Sequence, residues 1–164
     1  MRIDPRISAR GLVLLAMVIF IALTSLGIAL AAEVWGKARQ RERETELLFV
    51  GEQYRRAIES YWRATPGAAK KLPPSLENLL TDDRFPVPVR HLRRLYTDPI
   101  TGGELTLVRE QSLIAGVFSP SKDAPMKVGN FPIRYSQFEG APSYEQWRFV
   151  FLPPRRGTPV PKRP

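Results

Sequence analysis

From Gly11 to Ala32 the sequence GLVLLAMVIFIALTSLGIALAA runs without a charged residue. At 1.5 Å per residue, about 22 residues of helix span the roughly 30 Å hydrocarbon layer of a bilayer. A buried helix of a soluble domain is shorter and keeps a polar face, so the run predicts a transmembrane helix over residues 11–33. The chain has 164 residues, which leaves roughly 120 to fold in water, enough for one small core. Much of the 43% hydrophobic content lies in this early run, so the remainder is thinly cored.

Two exported arrangements compete at this end. A cleavable secretory signal needs a basic leader, a shorter apolar region and an A-x-A site, and Ala29-Leu30-Ala31 supplies the last of these. A permanent anchor needs the full length, which is present. Charge counting leaves the orientation open, because Arg2, Arg6 and Arg10 precede the run while Lys37, Arg39, Arg41 and Arg43 follow it. Residues 1–10 form a basic leader on either arrangement.

Beyond Ala32 no turn signal occurs before Thr65-Pro66-Gly67, and the intervening residues are good helix formers, so the helix is expected to continue through 34–65. Leu47, Val50, Tyr54, Ala57 or Ile58, and Tyr61 recur at spacings of three and four, which lines one helix face for burial. Leu48, Phe49 and Trp62 widen that stripe, as packing on a sheet requires. Glu52 and Arg56 form a favourable i,i+4 pair, Glu42 with Glu46 and Arg39 with Arg43 are like-charged pairs at the same spacing, and these charges predict a solvated face.

Residues 66–152 predict a small α+β domain. Of the 16 prolines, all but Pro5 lie from Pro66 onward, where each removes a backbone donor and favours loops. Ser75 is a candidate N-cap for a short helix through Leu80, ending near Thr81-Asp82-Asp83 in a solvated turn. Residues 104–108, 112–118 and 147–152 have the β-branched and aromatic content of strands, with Arg109-Glu110-Gln111 as a hairpin connection. Residues 119–144, rich in proline and glycine, predict long irregular loops. The tail 153–164, PPRRGTPVPKRP, alternates proline with cations and is expected to be extended and solvated.

The formal charge of +9 is compatible with nucleic acid, anionic lipid or an acidic partner. The basic residues are scattered over the leader, 37–43, 84–94 and the tail, without the interleaved aromatics of a nucleic-acid module, which argues against that class. Cysteine is absent, so disulfides, thiolate nucleophiles and sulfur-built zinc sites are excluded. A single histidine, His91, excludes multi-histidine metal centres and is expected at the surface. Asp98-Pro99 has the composition of a turn, and Gly102-Gly103 lacks the strand and lysine of a phosphate loop. No catalytic, cofactor-binding or metal-binding set is predicted.

One long N-terminal helix, half apolar and half amphipathic, followed by a small sheet resembles the type IV pilin and type II secretion pseudopilin architecture. Arg10-Gly11 before the apolar run resembles a prepilin peptidase site, with Leu12 where family members usually have phenylalanine. LPPSLENLLTDDR and then RRLYTDPITG resemble the helix and "Y-x-D-P-x-x-G" region of pseudopilins, carried by Tyr96, Asp98, Pro99 and Gly102. SLIAGVFSPSKDAPMK, NFP and YEQWRFVF resemble the end of the same group. The resemblance implies a non-enzymatic subunit in the bacterial inner membrane, N-terminus in the cytoplasm and C-terminal domain in the periplasm, with the leader processed between Gly11 and Leu12. It implies other secretion-system subunits, the bilayer and a prepilin peptidase as partners, and no cofactor. Gly27 and Ala31 are small enough to let membrane helices approach closely. Ala16 departs from the family, whose filament subunits usually carry glutamate there, and suggests a minor or accessory role. The calcium loop of the major pseudopilins has no match, so no metal residues are implied. The alternative expectation is a minor pilin of a DNA-uptake or surface filament, with the Arg84 to Arg94 segment contacting phosphates.

Overall fold

The computed structural model describes residues 5–67 and 69–154, without the side chains of residues 5–10, 29 and 30. The far ends of the leader and tail, 1–4 and 155–164, lie outside the described residues. Helix α1, Pro5–Ala64, is followed by α2, Glu77–Leu80, and by strands β1, Thr106–Glu110, β2, Leu113–Phe118, and β3, Phe149–Val150. Two 3-10 turns, Ile133–Phe138 and Tyr144–Gln146, lie between β2 and β3. A long apolar N-terminal helix and a small antiparallel three-stranded sheet make this an α+β chain.

The chain divides into two units, Met1–Gln40 and Arg41–Pro164. The described part of the first is helix α1 alone, long and apolar enough to cross a membrane. Leu12, Phe20 and Ile28 are each about two-thirds exposed or more. In water such a surface is unfavourable, whereas in hydrocarbon only unsatisfied polar groups cost free energy. Thr24 has its hydroxyl answered within the helix, donating to the Phe20 and Ile21 carbonyls at 3.0 and 2.9 Å. A Cβ at Gly11 or Gly27 would meet nothing within 4 Å, and Ala16 and Ala31 are exposed. The i,i+4 pair of Glu33 and Lys37, 2.6 Å apart, marks the return of charge.

In the second unit the predicted stripe is buried: Leu47, Val50, Tyr54, Ala57, Ile58 and Tyr61 are all at most 4% exposed. Leu48 and Trp62 are partly buried against the same core, but Phe49 is 56% exposed and lies off the stripe. Gly51 sits on the stripe between Leu47 and Tyr54, where a Cβ would come within 2.3 Å of the Phe149 ring. The glycine therefore lets β3 approach the helix backbone, and aromatic side chains fill the space around it. Phe138 stacks on Trp147 with centroids 5.6 Å apart and meets Phe149 edge-on at 5.2 Å.

The sheet has the order β1-β2-β3, antiparallel throughout. β1 starts two residues later than the sequence predicts and takes in Arg109 and Glu110, because the hairpin turns at Gln111-Ser112. Both turn residues have left-handed φ, 48° and 70°, the conformation that matches a two-residue connection to the twist of the strands. A bulge between Val108 and Arg109 absorbs the extra residue. β3 is shorter than predicted, since Trp147 caps the preceding 3-10 turn, although the Phe151 N–H still donates to the Ala115 carbonyl at 2.9 Å.

Two other expectations are corrected. Ser75 does not cap α2: Leu76 occupies that position in helical conformation, and the Ser75 hydroxyl bonds to Asn78 Oδ1 at 3.0 Å. Residues 119–144 are not wholly irregular loop, because the 3-10 turns carry Tyr135, Phe138 and Tyr144 into the core.

Candidate functional site

Helix α1 ends at Ala64, before Pro66, and its last carbonyls need partners. Lys70 donates to the carbonyls of Arg63 and Thr65 at 2.9 and 2.6 Å, and Arg84 to that of Tyr61 at 3.1 Å. The Arg84 guanidinium lies 3.6 Å from the centroid of the Tyr61 ring and donates to both oxygens of Asp82. Asp82 is in turn 3.2 Å from His91 Nε2, and His91 Nδ1 is 2.8 Å from the Ser60 hydroxyl. Asp82 and Val89 bridge through their backbones, and Leu79 accepts from both His91 and Leu92 N–H groups, which folds this segment onto the end of α1.

Asp82 and His91 were expected in solvent, yet each side chain is only 1% exposed. Burial of a carboxylate is costly unless it is paired, and the bidentate Arg84 supplies that pairing. Ser60, His91 and Asp82 therefore stand in a hydrogen-bonded series that resembles a nucleophile, a base and its orienting acid. Acyl transfer also needs donors aimed at a developing oxyanion and a path for substrate. Ser60 lies inside α1, where its backbone N–H belongs to the helix ladder, and the imidazole is enclosed. The geometry fits a clasp that holds residues 79–92 on the helix end.

The Tyr96, Asp98, Pro99 and Gly102 motif forms a second clasp. The Tyr54 hydroxyl accepts from the Tyr96 N–H at 2.8 Å and donates to the Tyr96 carbonyl at 3.2 Å, fixing this loop to α1. Asp98 is fully buried and accepts from the Ile100 N–H, Thr101 and Ser119 at 3.0, 2.7 and 2.6 Å. Gly102, with φ +76°, returns its N–H to the Asp98 carbonyl at 2.8 Å, and Pro99 lies within the turn so closed. Asp98 is thus a turn former that also ties the loop to the residue after β2.

Sequence reasoning missed one buried carboxylate on α1, Glu44, and the long-range partners of a second, half-buried one, Glu52. Glu44 is 3% exposed and accepts from the N–H groups of Met126 and Lys127 and from the Tyr144 hydroxyl. It lies three residues before Leu47, so the apolar stripe extended backward would have found it. Glu52 pairs with Arg56 as predicted, but it is also bonded to Arg55, Arg134 and Tyr135, and its side chain is 16% exposed. The face expected in solvent is partly covered here.

Burial raises the Glu52 carboxyl, but hydrogen bonds from Arg55, Tyr135 and Arg56 outweigh it and leave the group at about 2. The Arg84 hydrogen bond holds Asp82 at about 2, with a smaller contribution from His91, against the opposing effect of burial. Both groups are depressed below their unfolded values of about 4. Their stabilisation is therefore complete above that value and lost as the pH falls towards about 2, on the order of 2 kcal/mol for each group. Urea midpoints measured between about pH 6 and pH 2.5 should fall in that window, and Asp82→Asn should flatten the slope. An unchanged slope in that variant would remove the assignment.

Of the segment Arg84 to Arg94, Arg84 is committed to the clasp while Arg90, Arg93 and Arg94 are exposed, Arg94 lying 5.1 Å from the Tyr96 centroid. No group of acidic and histidine residues suited to a metal ion occurs among the described residues. In comparison with known proteins, the chain matches no family model, no curated sequence and no solved structure.

Proposed function

We propose that this chain is a non-enzymatic, membrane-anchored subunit of a type II secretion or related pilus-like assembly, a divergent pseudopilin held in the bacterial inner membrane. On this reading its N-terminus is cytoplasmic and its C-terminal domain periplasmic, where it contacts other subunits or cargo. The observation that carries the reading is helix α1, in which an exposed apolar segment gives way, within one helix, to a stripe buried in an α+β core. The Arg10-Gly11-Leu12 sequence before the apolar run and the Tyr96-Asp98-Pro99-Gly102 turn support the same reading. The competing minor pilin with a phosphate-binding Arg84 to Arg94 surface is weakened, because Arg84 serves the clasp.

Processing tests the proposal. Co-expression with a prepilin peptidase should yield a new N-terminus at Leu12, read from the mass of the N-terminal peptide. A leader that remains intact under conditions where a control prepilin is cut would overturn the processed-subunit reading. Cleavage after Ala31 would identify a secretory signal instead.

A further inference from the structure

The clasp at the end of α1 holds out a loop. Asp82 and Val89 exchange backbone hydrogen bonds of 2.9 and 3.3 Å, which close the chain between them, and the Arg84 N–H donates to Asp82 Oδ1 at 3.2 Å. Pro86 and Pro88 fix their own φ and present no N–H. Between them Val87 is 76% exposed, and Val89 and Leu95 follow at 37% and 42%. A loop tied down by a buried carboxylate and a buried imidazole presents these aliphatic side chains in a fixed place.

The charge of the same segment is unbalanced. On α1, Arg55, Arg56 and Arg63 are answered by Glu52 and Glu59. Between Val87 and Leu95 stand Arg90, Arg93 and Arg94, all exposed, and among the described residues none of the three is ion-paired. Asp82 is occupied by Arg84 and His91, which leaves Asp83 as the other acid in residues 82–95, against four arginines.

Exposed aliphatics interleaved with unpaired arginines narrow the class of partner. A nucleic acid stacks its bases on open aromatic rings. Phe85 and Tyr96, the aromatic neighbours here, are partly buried, with Arg84 and Arg94 over their rings at 5.9 and 5.1 Å from the centroids. A bilayer does not accept an irregular loop in its hydrocarbon layer, where backbone groups go unanswered. A polypeptide that carries carboxylates beside apolar side chains satisfies both halves of the surface, and a loop already fixed lowers the ordering entropy of binding.

We propose that residues 87–95 are a docking surface for an acidic, apolar segment of another protein, with Arg90, Arg93 and Arg94 at its carboxylates and Val87, Val89 and Leu95 at its apolar side chains. Such a surface serves a protein of any assembly, so its test stands apart from the pseudopilin reading. The clasp of Asp82, His91 and Ser60 then has a use beyond stability, since it holds the loop that meets the partner.

Fluorescence anisotropy on the full chain in nonionic detergent tests this, with a labelled peptide of four Glu-Glu-Leu repeats as the probe and a Glu-Glu-Ser peptide of equal charge beside it. At about 150 mM salt the leucine peptide should bind roughly fivefold tighter than the serine peptide, and Val87→Ser should close most of that gap. The triple reversal Arg90→Glu, Arg93→Glu and Arg94→Glu should weaken the leucine peptide by about tenfold or more, with an unchanged circular dichroism spectrum. Arg39→Glu, Arg41→Glu and Arg43→Glu make the same change in net charge on exposed positions of α1, and should weaken it by less than about twofold. No binding by the parent chain, equal affinity for the two peptides, or equal losses in the two triple variants would each overturn the proposal. A twelve-nucleotide single strand that binds more tightly than the leucine peptide, and is lost in the same Arg90 to Arg94 variant, would also overturn it and assign the surface to nucleic acid.

Discussion

Gly116→Ala is expected to destabilise the folded domain by about 3 kcal/mol and lower its melting temperature by on the order of 15 °C. The reason is backbone, not side chain. A Cβ at Gly116 would stand 2.3 Å from the Phe149 carbonyl oxygen and 2.8 Å from the Val150 Cα. Neither atom can rotate away, so β3 must separate from β2, and Phe149 moves with it. Phe149 fills the notch at Gly51 and contacts both Tyr135 and Phe138, so the disturbance reaches the centre of the core. Thermal unfolding of the full chain by circular dichroism measures the effect. Gly129→Ala, where a Cβ would meet open space, is the matched control and should stay within about 0.5 kcal/mol. A Gly116→Ala protein that melts within about 2 °C of the parent would show that β2 and β3 are not packed as described.

The second large effect is expected at Glu44. Removing its carboxylate leaves the N–H groups of Met126 and Lys127 and the Tyr144 hydroxyl without that acceptor. Loss of a buried acceptor costs about 1–3 kcal/mol for each group left unanswered, and water can partly answer the half-buried Met126 and Lys127 N–H groups, so Glu44→Ala should cost about 2–5 kcal/mol in total. Hydrogen exchange distinguishes this from a general loss of helix stability. Protection should fall first at residues 121–130, while amides of α1 around Tyr54 and Ile58 follow only the global change. Glu46→Ala, two residues along on the exposed face, should do neither. If both variants lower stability equally, the carboxylate is not the anchor of that segment.

The helical half of the architecture was legible because one period governed it. The i, i+3 and i+4 spacing from Leu47 to Tyr61 places six residues on one face, and all are buried. The same period contained more than was drawn from it: Glu44 continues the stripe, and Gly51 interrupts it where the helix meets Phe149. Strand content was legible from composition, but strand limits were not, because Gln111 and Ser112 turn the hairpin with left-handed φ and neither is a glycine. The aromatic core around Tyr135, Phe138 and Tyr144 has no period at all. Its residues are delivered by short 3-10 turns inside a proline-rich stretch, where local composition favours loop. Asp82 and His91 were placed wrongly because their burial depends on a chain reversal between residues 82 and 89, closed by partners that no local window contains.

The carboxylates of α1 impose an order in time as well as in space. Glu44 and Glu52 find their partners more than 80 residues further along the chain, at Met126, Tyr135 and Tyr144, and the notch at Gly51 is filled by Phe149. Contacts of such long sequence separation form late, because the loop between them must close first. The end of the helix is different, because Tyr54, Ser60 and Tyr61 find Tyr96, His91 and Arg84 only 23 to 42 residues further on. A polypeptide truncated before residue 149 would lack the Phe149 ring that fills the notch at Gly51.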